Sequence, residues 1–166
     1  MLDVQRIAHH EAGHAVIGRA LHLHCGGVSI APDTYPGAAD VGADWDGTGR
    51  RRTGRRMAFR EDSMPLTQSA RSLDHARIIA LMAGKEAADL CCGPREGGNY
   101  GDELVIDSVA RDCGEEDRLP RLRVATRALC IRHRGRIERV ASALLERHTL
   151  SAEEIGAMCG RSSAPP

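Results

Sequence analysis

The chain has 166 residues and a mass of 17.9 kDa, the size of a single domain with its own hydrophobic core. Hydrophobic residues make up 42% and charged residues 28%, and 23 basic side chains balance 23 acidic ones. A net charge of zero argues against a protein dedicated to nucleic acids or to membrane surfaces. No apolar run approaches the ~20 residues of a membrane span, and the start lacks the pattern of a signal peptide.

The six cysteines include no CxxC pair. This usage is typical of reduced thiols in a cytoplasmic protein and differs from a disulfide framework or a zinc ribbon. We therefore expect a cytoplasmic location. The single lysine, Lys85, stands in a segment without the Ser/Thr and the spacing of a phosphate-binding loop, so we expect no ATPase module of that kind in the chain.

The first predicted helix covers residues 3–24. Its apolar and histidine positions recur at intervals of three and four, namely Ile7, His10, His14, Ile17 and Leu21. Gly26-Gly27 is expected to end this helix. Short strands are then predicted at Val28–Ala31 and near Ala39–Trp45, followed by an Arg/Gly-rich loop over residues 47–66.

The second half of the chain has mainly helical patterns. A second helix is predicted over Ser69–Cys92, and after a glycine-rich connection a third helix should begin close to Asp102. One or two further helices are expected over Asp117–His148, with Pro120 in a first turn and Gly135 as the break.

A last helix is predicted by Ser151, which is followed three residues later by Glu154 in a capping box. The predicted fold class is therefore mainly α with one small β-sheet (α+β). We expect a single domain over residues 1–160, with the loop at 47–66 inserted in it and a frayed tail over 161–166.

The segment from His10 to His14, His-Glu-Ala-Gly-His, carries the strongest chemical signal. Histidines four residues apart lie on the same helix face, so two imidazoles can bind one zinc ion. Glu11 is rotated by about 100° and suits a general base beside that ion. The alternative is two core histidines bonded to carbonyls or carboxylates, which leaves Glu11 and the small Ala12-Gly13 pair unexplained.

Ile7–Val16 resembles the start of the peptidase domain of FtsH-type AAA proteases, whose signature is HEAGHA. Ala83–Leu90, with Gly93 after it, resembles the GGRAAEE helix of that family. Arg136–Leu150 resembles its late helix, which ends in a similar LLEKETL stretch. The resemblance spans nearly the whole chain, and the arginine-rich loop over residues 47–66 is the main departure.

The resemblance implies a third zinc ligand, an aspartate at the start of the helix after the GGRAAEE segment. Asp102, nine residues past Gly93, is the matching position. Its helical phase agrees, because Asp102 shares a stripe with Ile106, Val109 and Cys113. Asp107 and Glu103 remain as alternative ligands, and a plain helix N-cap is the alternative role for Asp102.

The function implied by this resemblance is that of a zinc-dependent endopeptidase. His10, His14 and Asp102 would hold the ion and leave a position open for water, whose pKa falls toward about 7. Glu11 would take the proton of that water and pass it to the leaving amine. The strand at Val28–Ala31, or the one after it, would offer an edge on which an extended substrate pairs.

The partners that we expect for this protein follow from the modules that members of the family normally have. Its members have a membrane anchor and an ATPase module that feeds substrate, and neither is recognisable in this sequence. We therefore expect a stand-alone enzyme with no membrane contact. Its substrates would be flexible or unfolded polypeptides, or chains delivered by a separate ATPase or adaptor. The resemblance also implies a ring-shaped homo-oligomer.

Two other functions compete with this hypothesis. One is a catalytically idle metal-binding interaction or scaffold protein of the same fold, although a purely structural zinc site needs no base such as Glu11. The other is a nucleic-acid-associated protein that uses the basic run Arg50–Arg60. Zero net charge and only 2% aromatic residues weigh against nucleic acid as a partner.

Overall fold

The computed structural model describes residues 4–30, 59–60 and 70–160. Helices dominate these residues: α1 (Val4–Ala20), α2 (Ala70–Cys92), α3 (Tyr100–Cys113), α4 (Leu119–Arg132), α5 (Arg134–Arg147) and α6 (Ala152–Gly160). The strands have two residues each: β1 (His24–Cys25), β2 (Val28–Ser29), β3 (Phe59–Arg60) and β4 (Thr149–Leu150). A 3-10 turn over Glu116–Arg118 precedes α4. The prediction of a mainly helical fold with a little β-structure is confirmed.

The strands form two antiparallel pairs, β1 with β3 and β2 with β4, where a single sheet was expected. β3 lies within residues 47–66, which the sequence predicts as loop. A strand of two residues is too short to show a periodic sequence pattern, so β3 is recognised only from its pairing with β1. The strand predicted over Val28–Ala31 is shorter, although the N–H of Ile30 extends the β2–β4 pairing to the carbonyl of His148 at 2.8 Å. The strand predicted near Ala39–Trp45 lies outside the described residues.

α1 ends at Ala20, before the glycine pair that was expected to end it. His22 adopts a left-handed backbone with φ of 61°. Its N–H bonds to the carbonyl of Arg19 at 3.0 Å, and the N–H of Leu23 bonds to Gly18 at 2.9 Å. This is a Schellman motif in which histidine takes the place usually held by glycine.

The later helices follow the predicted order with small shifts in their ends. α3 begins at Tyr100, so Asp102 lies in its first turn. The break between α4 and α5 falls at His133, two residues before the predicted Gly135. The N–H of His133 still bonds to the carbonyl of Leu129 at 2.9 Å, and its own carbonyl accepts from the N–H groups of Arg136 and Ile137 in α5.

The predicted capping box at the start of α6 is confirmed. The N–H of Glu154 donates to Ser151 Oγ at 3.2 Å, and the N–H of Ser151 donates to Glu154 Oε2 at 2.7 Å. Two backbone donors that α6 cannot satisfy internally are thereby paired.

α1 is the central element of the core, with every residue from His10 to Gly18 buried. It runs antiparallel to α2, since Arg6 pairs with Asp89 late in α2 while His14 bonds to Ala80 earlier in it. Small residues at the interface of α1 and α2 allow the two helices to approach each other closely. α5 packs on another side of α1 through its buried residues Ile137, Val140, Ala141 and Leu144.

Across residues 4–30, 59–60 and 70–160, no helix combines the length and the apolar character that a membrane crossing demands.

Replacing Gly13 with alanine should destabilise the protein. The new methyl group would lie 2.6 Å from the Cβ of Ala87 and would clash with the backbone carbonyl of Ala83. Overpacking of this kind costs about 1–3 kcal/mol, and a backbone neighbour cannot rotate away. Chemical denaturation measures the decrease in the free energy of unfolding. The matched control is Gly135→Ala in α5, where the nearest atom is 3.9 Å away and alanine should stabilise the helix slightly. Equal stability of the two variants would contradict the close approach of α1 and α2.

Candidate metal centre

Three side chains that are distant in sequence meet where α1, α2 and α3 pack together. His10 and His14 come from α1 and Asp102 from the first turn of α3; we call them the HHD cluster. The two Nε2 atoms lie 3.0 Å apart, and Asp102 Oδ2 lies 2.9 Å from that of His10 and 3.3 Å from that of His14. Ligand atoms around a tetrahedral zinc are about 3.3 Å apart, so these donor atoms fit that ion.

The ring of His14 is oriented by α2. Its Nδ1–H donates to the carbonyl of Ala80 at 2.7 Å, which leaves the lone pair of Nε2 directed at the cluster. Histidines that bind metals usually have such a carbonyl or carboxylate partner on the other nitrogen. The rings of His10 and His14 pack edge-to-face, with their centroids 4.6 Å apart and an angle of 84° between their planes.

The charges of the cluster shift the pKa values of two members. Burial raises the pKa of Asp102, but the neighbouring His14 and His10 outweigh burial and hold it well below the usual range. Burial lowers the pKa of His14, yet the charges of Asp102 and Glu11 and the Ala80 carbonyl together raise it above its ordinary value. Without a metal, both shifts favour a protonated imidazole beside an ionised carboxylate, and a bound cation would compete with that proton.

Glu11 lies next to His10 on α1, and its side chain is completely buried. Its charge contributes to the raised pKa of His14, which places the carboxylate within electrostatic reach of the cluster. The helix rotates Glu11 by about 100° from His10, and its carboxylate is not among the three donor atoms that lie together. The role of Glu11 as a base stays a prediction.

The backbone of α2 forms the wall of the cluster at Gly84. A Cβ at this position would lie 2.7 Å from His10 Nε2 and closer still to His14 Nε2. The space beside both nitrogens therefore exists because residue 84 has no side chain. Sequence reasoning missed this role, although a glycine inside an alanine-rich helix is itself a signal of close packing or function.

The structure separates Asp102 from the other acids considered as ligands. Asp107 is exposed on the outer face of α3. Glu103 accepts hydrogen bonds from Arg123 at 3.0 and 3.1 Å and is directed toward α4. Asp102 is not the N-cap residue of α3 either, because that helix begins two residues before it.

A comparison of the chain with models of protein families gives no match, and a comparison with curated proteins gives none either. The likeness to FtsH-type peptidase domains therefore rests on the sequence segments described above.

Proposed function

We propose that this protein is a zinc-dependent endopeptidase. His10, His14 and Asp102 would hold the ion. The observation that carries the proposal is the convergence of both Nε2 atoms on one another and on the same oxygen, Asp102 Oδ2, within 3.3 Å. As hydrogen bonds alone, the 3.0 Å contact between the two Nε2 atoms requires that one of them carries a proton, whereas a shared cation would satisfy both nitrogens and the Asp102 oxygen together.

The residues fit the chemistry of peptide hydrolysis. Zinc in such a donor set supplies Lewis acidity, which polarises a peptide carbonyl and acidifies water. Glu11 takes the proton of the attacking water and returns it to the nitrogen of the leaving amine. Its charge acts on His14, which supports a role for this carboxylate close to the cluster.

The substrate class that we propose is flexible or unfolded polypeptide, because no ATPase module that would unfold a substrate is recognisable in this sequence. Stably folded proteins would require a separate ATPase or adaptor. A homo-oligomer and a cytoplasmic location belong to the same proposal. Degradation of a stably folded protein by the purified chain with zinc alone would contradict the restriction to flexible segments.

The first test is metal content by mass spectrometry, on protein purified without added metal or an affinity tag. We expect about one zinc per chain, none in His14→Ala and much less in Asp102→Ala. Asp107→Ala is the matched control and should bind like the wild type, because Asp107 is exposed on the same helix. The zinc-loaded wild type should also cleave casein. No bound metal and no uptake on titration at about pH 7–8 would overturn the proposal.

A further inference from the structure

A chain of polar side chains connects the start of α3 to α4 and α2. Asn99 Nδ2 donates to Glu103 Oε1 at 2.7 Å. Arg123 Nη2 donates to both oxygens of Glu103, at 3.0 and 3.1 Å. The Nη1 of Arg123 lies 3.7 Å from Glu86 Oε1, and Arg127 Nη1 donates to Glu86 Oε2 at 3.2 Å. One guanidinium, that of Arg123, therefore bridges α2 and α3.

Two side chains hold the first turn of α3 to other helices: Asp102, which contacts both histidines, and Glu103, which is bound by Arg123. The N-cap residue of α3, Asn99, makes no side-chain capping bond. The preceding segment contains three glycines with positive φ, and a Cβ at any of them would meet nothing within 4 Å: Gly93, Gly97 and Gly98. Within the part of the chain that the structure describes, Glu103–Arg123 is the ion pair that joins α3 to α4 directly.

We propose that Arg123 is a positioning residue for Asp102. It holds Glu103, the neighbour of Asp102 in the first turn of α3, and so sets where the Asp102 carboxylate meets the two histidines. Its second partner, Glu86, follows two residues after Gly84 on α2. Arg123 thus aligns α3 with the same helix that forms the wall of the cluster. This inference rests on the proposed function, since it assigns a role at the proposed zinc site.

The test compares two arginine variants on one helix. Arg123→Ala should raise the dissociation constant for zinc by about tenfold, the lower end of the effect seen when groups behind a metal ligand are removed. Arg127→Ala is the matched control. It removes a guanidinium from the same Glu86 but does not touch Glu103, so zinc should bind as in the wild type. Competition with a chromophoric chelator at fixed pH measures both constants.

Two further measurements distinguish positioning from general stability. Cobalt(II) bound in place of zinc reports ligand geometry through its visible absorption, which should change in Arg123→Ala and not in Arg127→Ala. Glu103→Ala should weaken zinc binding as Arg123→Ala does, and the double variant should be no worse than either single one. If Arg123→Ala fails to fold, Glu103→Ala and its cobalt spectrum decide the question.

The outcomes separate this inference from the proposed function. A wild type that binds zinc, with Arg123→Ala and Glu103→Ala unchanged in affinity and in cobalt spectrum, would overturn the role of Arg123 alone. A wild type that binds neither zinc nor cobalt would overturn the metal site, and the positioning role with it.

Discussion

Replacing Glu11 with glutamine should lower the rate of casein cleavage by roughly 10²- to 10⁴-fold, the usual contribution of a general base. Glutamine keeps the shape of the side chain but cannot accept the proton of the attacking water. Because Glu11 flanks the cluster and is not one of its three donors, about one zinc per chain should remain bound. Initial rates on fluorescent casein, with zinc content measured on the same samples, give both quantities.

The matched control is Glu138→Gln, a similar change on the surface of α5, where Glu138 pairs with Arg134. It should leave the cleavage rate unchanged. Equal and negligible rates for the zinc-loaded wild type and Glu11→Gln would instead favour the idle metal-binding interaction or scaffold protein.

Replacing Gly84 with alanine should remove zinc although all three proposed ligands remain. The added methyl would lie 2.7 Å from His10 Nε2 and even nearer to His14 Nε2, in the space beside both nitrogen lone pairs. Alanine favours the helix by about 1 kcal/mol relative to glycine, so α2 itself is not weakened. We expect a zinc content near zero, measured by mass spectrometry, and a loss of casein cleavage with it.

Gly135→Ala serves as the control for this glycine as well, because the nearest atom to the added methyl there is 3.9 Å away. Thermal unfolding of metal-free protein shows whether Gly84→Ala still folds. A folded Gly84→Ala protein with full zinc occupancy would show that the two histidines do not share an ion beside α2.

Features with a local cause could be predicted from the sequence. α2 and the capping box of α6 follow from periodicity and from the Ser151–Glu154 spacing. The stripe shared by His10 and His14 indicated two of the side chains that the structure brings together, and that signal lies within one helix. The third, Asp102, was implied by the resemblance to FtsH-type peptidase domains, with which its helical phase agrees.

Features that depend on contacts between elements could not be predicted. β3 exists through its pairing with β1, and α1 ends at a histidine in a left-handed conformation that composition does not indicate. The closeness of Gly84 to both histidines and the link from Glu103 to Arg123 arise only when the helices pack. Periodicity identifies the face of a helix, but it does not identify what that face meets.

The three residues of the HHD cluster lie on helices that are buried to different extents. Its two histidines lie on α1, where His10 to Gly18 are all buried, while Asp102 lies on α3, whose buried residues are Gly101, Ile106 and Ala110. Opening α1 would expose many more buried residues than opening the first turn of α3, so we expect the α3 turn to open at a lower free energy. A metal ion held by this cluster would therefore enter and leave on the Asp102 side, and its exchange rate would be set by the motion of a single helical turn.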